Sequence, residues 1–337
     1  MITPTLRRQP GGAALMQVIG FFMDIILHIG AHRTGTTTFQ DYLRRHRAFF
    51  FDAKIAILTP PHTRRSLFVG LSPASEAKTR PHAIERAQGR IRLQMALLRA
   101  QGFKTLIISE ENMIGSVRAN LRAMALYPDI GARMSRIAAA FDGQISRILI
   151  SPRAQDSYWS SALSYGVARG HHVLDDDARN RLVHTPRGWR EVITDVASAV
   201  PATDIKVLPF ETFAGHPDAV LRLGAGLDAP ADGSCSRLNP TPDLPALRAV
   251  LADRGERLDS LPKGMGRWQP FNEIDTAILR ENYADDMMWL TAGADSLATL
   301  TQGTAPVRAG KTLPLGVQRQ GHQNDRQERH LARPRSG

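Results

Sequence analysis

Short apolar runs alternate along the chain with longer segments in which apolar residues recur every three to four positions. The short runs, rich in β-branched residues, predict buried strands at residues 25–29, 54–58, 105–109, 145–150 and 205–208. The longer segments predict helices at residues 83–100, 131–141, 154–169, 188–200, 219–223, 243–254 and 272–290. Because strand and helix alternate, we predict a three-layer α/β/α fold with a central parallel sheet that binds ligands at the carboxyl ends of its strands.

The two ends of the chain differ from this pattern. Residues 301–337 hold seven Arg or Lys against two Asp or Glu and lack an apolar period, so we predict a basic disordered tail. Residues 1–22 contain an apolar stretch too short for a membrane span and without a cleavage site. We expect them to be a disordered or upstream-initiated extension, with no transmembrane segment. Residues 23–300 are then predicted to form a single domain.

Charge and composition narrow the class of ligand. The net charge is +11, but much of it lies in the predicted tail, so the remaining chain is only mildly basic and suits a small anionic ligand. Aromatic residues make up 6% and no basic stripe is interleaved with them, which argues against a nucleic-acid partner. The single cysteine, Cys235, excludes an internal disulfide and fits a reducing compartment, so we expect a cytoplasmic protein.

The segment HIGAHRTGTTTFQ, residues 28–40, follows the first predicted strand. Its glycines, Gly30 and Gly35, have the spacing of the nucleotide-binding P-loop, G-x-x-x-x-G-K-[ST], but Thr36 stands at the lysine position. A strand, a glycine loop and a helix start together predict an anion site, because free backbone N–H groups and the helix dipole meet there. Without the lysine, the loop is poorly equipped to move a γ-phosphoryl group.

The loop resembles that of the sulfotransferases that use 3′-phosphoadenosine 5′-phosphosulfate (PAPS), whose pattern is Pro-Lys-[Ser/Thr]-Gly-Thr-Thr. The matching positions are His32, Arg33, Thr34, Gly35, Thr36 and Thr37, and the continuation from Thr38 is similar to bacterial members. The resemblance implies a P-loop NTPase-like fold, a sulfotransferase-like domain and a loop that grips the 5′-phosphosulfate. It gives Arg33 a catalytic role at the departing phosphate, although an arginine does not readily donate a proton.

A second motif supports the same resemblance. The family binds the 3′-phosphate of its cofactor with an arginine that ends a central strand and a serine on the following helix. Arg153 follows the strand that ends at Ile150, and Ser161 lies eight residues further on, with Ser160 as the alternative. The implied co-substrate is PAPS, the product is 3′-phosphoadenosine 5′-phosphate (PAP), and we expect no metal.

Two consecutive glutamates are candidates for the general base. Glu110 and Glu111 follow the third predicted strand, and many bacterial relatives have a Ser-x-Glu pattern there, which corresponds to Ser109 and Glu111. Consecutive residues leaving a strand point to opposite sides, so we favour Glu111 over Glu110. A third glutamate, Glu211, is predicted to hold loops together.

These features predict a sulfotransferase that transfers a sulfuryl group by in-line displacement to a hydroxyl or amine of a carbohydrate, lipid or small metabolite. We expect the acceptor pocket in the irregular, polar stretches at 59–82 and 170–187. Two alternatives stay open. Acidic residues after an apolar strand also suit a magnesium-dependent kinase or NTPase with a degenerate loop, and the same anion site suits a nucleotide-binding protein without turnover.

Overall fold

The computed structural model describes residues 23–71, 82–231 and 238–303. The predicted extension at 1–22, nearly all of the predicted tail at 301–337 and Cys235 lie outside the described residues. What is described belongs to a compact unit that ends at Gly303. Among the described residues, no helix has both the length and the apolar composition that a membrane span requires.

Six parallel strands form one sheet in the order β2-β3-β1-β4-β5-β6. The strands are β1 (Asp24–Gly30), β2 (Ile55–Leu58), β3 (Thr105–Ser109), β4 (Arg147–Ile150), β5 (Asp204–Val207) and β6 (Thr299–Leu300). The first five lie at the apolar runs of the sequence, so those predictions are confirmed. The two residues of β6 are too few to show any period.

Thirteen α-helical segments occur in the described residues. They are α1 (Thr36–Arg45), α2 (Arg47–Asp52), α3 (Pro60–His62), α4 (Ala83–Ala100), α5 (Val117–Ala123), α6 (Ile130–Ala140), α7 (Gln155–Ala168), α8 (Asp176–Val183), α9 (Trp189–Ala199), α10 (Phe210–Phe213), α11 (Pro217–Ala219), α12 (Leu244–Asp253) and α13 (Glu273–Thr291). Two π-helical turns (Thr63–Leu67 and Val220–Ala225) and three 3₁₀ turns (Glu111–Met113, Leu258–Ser260 and Ala294–Ser296) complete the set.

One expectation about irregular segments is wrong. Residues 170–187 contain α8, whose apolar pattern is short but whose start is well defined, because the Asp175 carboxylate accepts the Ala178 N–H at 2.7 Å. Of residues 59–82, the described part contains α3 and a π-helical turn rather than a loop. Segments this short carry too few apolar positions for their period to be recognised.

The two faces of the sheet bury separate clusters of apolar side chains. Along β1, Leu27 and its neighbours two residues away belong to the larger cluster, whereas Ile26 belongs to the smaller one. Helix α1 packs in the smaller cluster, and α4, α6, α7 and α9 pack in the larger one. The α/β fold with a parallel sheet is therefore confirmed, and helices on both faces are compatible with the three-layer architecture.

The strand order creates a crevice beside β1. Strand β1 lies between β3 and β4. From β1 the chain continues to β2, on the β3 side of β1, whereas from β4 it continues to β5, on the opposite side of the sheet. Right-handed crossovers then place the two connections on opposite faces, as the two clusters show. The segments that follow β1 and β4 diverge at their carboxyl ends, and such a point is where open α/β sheets bind ligands.

Candidate functional site

The loop after β1 is shaped by two glycines and a threonine. Gly30 has a φ of +63°, and a Cβ placed on it would lie 2.3 Å from Cγ2 of Thr36, so only glycine fits. Gly35 has a φ of +81° and precedes α1. The Thr34 hydroxyl donates to the carbonyl of Ala31 at 2.6 Å and accepts its N–H at 3.2 Å. These contacts fold the loop back onto itself at the end of the strand.

The first turn of α1 presents backbone donors at this loop. The first hydrogen bond within the helix runs from the Phe39 N–H to the Gly35 carbonyl at 3.1 Å, so helix geometry leaves the preceding N–H groups without acceptors inside the helix. Thr36 is buried and Thr37 is half-buried, whereas the Thr38 hydroxyl accepts the N–H of Leu238 at 3.3 Å. The arrangement can hold an anion through N–H groups and the helix dipole.

His32 is held by a polar network on the other side of the loop. Its N–H donates to the Tyr127 hydroxyl at 2.8 Å, and Nε2 donates to Oδ1 of Asn112 at 3.1 Å, which leaves Nδ1 to accept from Tyr127 at 3.1 Å. Burial lowers the pKa of His32, although the Asn112 contact opposes the shift. The ring is therefore neutral and fixes the loop in position.

Arg33 directs its guanidinium to α7 rather than across the loop. Nε donates to the Ser161 hydroxyl at 3.0 Å and Nη2 donates to the Thr241 hydroxyl at 3.1 Å. The guanidinium carbon lies 5.2 Å from the centre of the Tyr165 ring. Ser160 does not take part in this group, because its hydroxyl donates to the Asp156 carbonyl at 2.7 Å inside the helix.

Arg153 approaches the same loop from the end of β4. Its Nη1 donates to the carbonyl of Arg33 at 2.7 Å, and its guanidinium lies 4.6 Å from the centre of the Phe210 ring. The side chain is 9% exposed, and its Nε is buried with no hydrogen-bond partner among the described residues. Burial lowers the pKa of Arg153 to about 10, so it remains charged at neutral pH. A buried guanidinium with an unused donor is suited to an anion.

Glu110 is fully engaged in holding the polypeptide together. The residue is 2% exposed, and its carboxylate accepts from the Thr63 hydroxyl at 2.5 Å, from the Asn112 N–H at 3.0 Å and from Arg64 through Nε and Nη2. The backbone N–H of Glu110 donates to the carbonyl of His28 in β1. These contacts tie the end of β3 to the first strand and to the π-helical turn.

Glu111 has fewer partners and lies closer to the loop helix. It accepts from Nε2 of Gln40 on α1 and from Nη2 of Arg64, both at 2.8 Å. Burial acts to raise the pKa of Glu111, but hydrogen bonds and the positive charge of Arg64 hold it below its usual value. The carboxylate is ionised at neutral pH, and it can accept a proton effectively only after an acceptor molecule displaces these donors.

Glu211 connects two segments, as the sequence predicted. One oxygen accepts the N–H of Ala154 at 2.9 Å, and the other accepts from the Tyr283 hydroxyl on α13 at 2.9 Å. It therefore helps to place the turn that carries Arg153. Two cavities, of about 250 and 200 Å³, are lined by other residues, none of them in the loop at 31–37.

Several site residues were missed by sequence reasoning. Arg64, Tyr127 and Thr241 are far from the loop along the chain and lie in segments without a recognisable motif. Gln40 could have been found, because it lies one helical turn after Thr36 and so shares its side of α1. Long-range pairing brings the others to the site, and a local pattern cannot record it.

Comparison with known proteins identified no relative: no protein-family model, no curated protein and no solved structure matches this chain. The function is accordingly inferred from the residues themselves.

Proposed function

We propose that this chain is a sulfotransferase that transfers a sulfuryl group from PAPS to a hydroxyl or amine of an acceptor, on a P-loop NTPase-like fold. The observation that carries the proposal is that two elements suited to an anion lie together at the carboxyl end of the sheet. One is the loop and first turn of α1, and the other is the group formed by Arg33, Arg153 and Ser161. PAPS carries two anionic groups on one nucleoside, and the unpaired Nε of Arg153 supports such a ligand.

The described residues suggest a division of roles. The N–H groups at the start of α1 and the loop threonines bind the 5′-phosphosulfate and stabilise the charge that develops on the departing phosphate. A bond forms between the acceptor oxygen or nitrogen and sulfur while the bond from sulfur to the bridging oxygen breaks. Glu111 takes the acceptor proton, because the oxygens of Glu110 are already occupied by four donors.

The proposal is tested by calorimetric titration of the protein with PAP, and separately with ATP and magnesium. We expect metal-independent binding of PAP that weakens by about 10- to 100-fold in an Arg153→Ala variant, because a charge-assisted contact is lost. The control is Arg92→Ala, which removes a positive charge from an exposed ion pair with Asp142. This control should bind PAP as the wild type does.

Other outcomes would favour the alternatives. Magnesium-dependent ATP binding that is indifferent to Arg153 would identify a kinase or NTPase and refute the sulfotransferase assignment. PAP binding without release of PAP from PAPS, in the presence of varied hydroxyl and amine acceptors, would favour a nucleotide-binding protein without turnover.

A further inference from the structure

The backbone of Arg33 has an unusual conformation. Its φ is +65°, in the left-handed region that residues with a side chain rarely adopt. The family resemblance implies that Arg33 lies at the departing phosphate, yet its guanidinium is bound on α7 and on the segment after residue 238. The loop therefore holds Arg33 in a strained conformation that directs its side chain towards Ser161 and Thr241.

The groups around this guanidinium form a compact cluster of polar side chains. The Ser161 and Thr241 hydroxyls lie 2.7 Å apart, and each accepts a hydrogen bond from Arg33. Both hydroxyls can also donate, since their protons rotate freely. A bound phosphate can thus accept hydrogen bonds from the guanidinium and from both hydroxyls.

The segment at 239–241 closes this cluster from a distant part of the chain. In addition to the Thr241 contact, the carbonyl of Asn239 accepts from Nη2 of Arg33 at 3.4 Å. The neighbouring Leu238 N–H donates to Thr38 in the first turn of α1. The segment therefore spans both anion-binding elements and contacts each of them.

Arg153 adds a second positive charge at short range. It donates to the Arg33 carbonyl, and its buried Nε has no partner among the described residues. Burial lowers the pKa of both arginines, and the charge of Arg33 lowers the pKa of Arg153 further. A bound dianion such as a phosphate monoester would offset both the loss of hydration of the guanidinium groups and the repulsion between them.

We propose that Arg33 and Thr241 bind the 3′-phosphate of the nucleotide together with Arg153 and Ser161, and that Arg33 thereby selects 3′-phosphorylated nucleotides. The inference rests on the proposed function and deepens it. It assigns Arg33 to nucleotide selection and leaves the departing 5′-phosphate to neutral donors of the loop and α1.

The test compares two ligands that differ only in the 3′-phosphate: PAP and adenosine 5′-phosphate. Dissociation constants are measured calorimetrically for the wild type and for Arg33→Ala, Thr241→Val and Arg169→Ala. Arg169 is the matched control, because its guanidinium lies 4.8 Å from the same Tyr165 ring but is exposed. Thr241→Val keeps the shape of the side chain and removes only the hydroxyl.

We expect Arg33→Ala to weaken PAP by about 10- to 100-fold and to change adenosine 5′-phosphate by less than about threefold. Thr241→Val should weaken PAP alone by about 3- to 10-fold. Arg169→Ala, which acts on Arg33 through its charge, should change the affinity for either ligand by less than about threefold. Equal weakening of both ligands by Arg33→Ala would place Arg33 at the 5′-phosphate and overturn the inference. An unchanged affinity for both ligands would overturn it as well. If Arg33→Ala does not fold, the Thr241→Val ratio decides alone. A wild type that does not bind PAP would refute the proposed function itself, and this inference with it.

Discussion

Replacement of Gly30 by alanine tests the shape of the loop independently of any ligand. The new Cβ would lie 2.3 Å from Cγ2 of Thr36, closer than non-bonded carbons approach, and the φ of +63° would be retained. Thr36 is only 7% exposed, so it has little room to move. Either the end of β1 or the first turn of α1 must therefore shift.

The expected cost has two parts that the chain allows to be measured separately. A left-handed residue with a side chain costs about 1–2 kcal/mol, and overpacking costs about 1–3 kcal/mol more. Gly102 has a φ of +79° with no described atom within 4 Å of the Cβ position, so Gly102→Ala reports the first part alone. Thr36→Ser removes Cγ2 and leaves the Thr36 Cβ at 3.8 Å, an ordinary contact, so it relieves the second part.

The assay is the free energy of unfolding in urea for the single and double variants. We expect Gly30→Ala to cost about 2–5 kcal/mol in the wild type, and about 1–2 kcal/mol in the Thr36→Ser background, close to Gly102→Ala. PAP affinity should fall with Gly30→Ala and recover in part in the double variant. Equal destabilisation in both backgrounds, or a wild-type cost no larger than that of Gly102→Ala, would refute the loop geometry.

Three further predictions concern the network around the loop. Glu110→Gln should lower the free energy of unfolding by about 2–3 kcal/mol, because the Glu110 carboxylate is buried among charged donors. Glu111→Gln should lower the free energy of unfolding by less than about 1 kcal/mol and should abolish turnover while PAP binding stays intact. Similar losses of stability in the two variants, or normal turnover in both, would contradict the assigned roles. Burial lowers the pKa of His28 to about 4, so its contribution to stability is complete above its unfolded pKa and is lost as the pH falls towards 4. Between pH 7.5 and pH 5 this contribution falls by about 2 kcal/mol, and a His28→Gln variant should show a correspondingly flatter pH dependence in urea denaturation; parallel curves would exclude a buried neutral His28. Tyr127→Phe removes the hydroxyl that holds His32 and should weaken PAP binding in calorimetry by about tenfold. The control variant Tyr158→Phe leaves that hydroxyl in place and should bind PAP normally. Equal effects of the two variants would show that the Tyr127 hydroxyl does not position the loop.

Much of the candidate site could be predicted because it is formed by consecutive residues. The loop at 30–36 joins a strand to a helix, and its glycines occupy positions where φ is positive or a Cβ would clash. Such requirements act within a few residues and leave a spacing that can be read from the chain. Arg153 and Ser161 were predicted from the resemblance to the sulfotransferase motif, and a strand end and two helical turns place them near the same end of the sheet as the loop.

The choice between neighbouring candidates required the tertiary structure. Ser160 and Ser161 are equivalent in sequence, but only Ser161 contacts Arg33, because the helix turns the Ser160 hydroxyl back to its own backbone. Glu110 and Glu111 are equally adjacent to β3, and Arg64 and Gln40 distinguish them. Propensity and periodicity do not encode which side chain meets a distant partner.

The sequence by itself determined the alternation of strands and helices, the glycine loop after β1 and the strand end that carries Arg153, since each depends on local periodicity or backbone conformation. Only the tertiary structure decided where the loop cation points. Arg33 meets partners 128 and 208 residues away, Ser161 and Thr241, and that meeting depends on the strand order that places β1 beside β4. Contacts across such separations are set by how the whole sheet and its helices pack, which no single segment of the chain specifies.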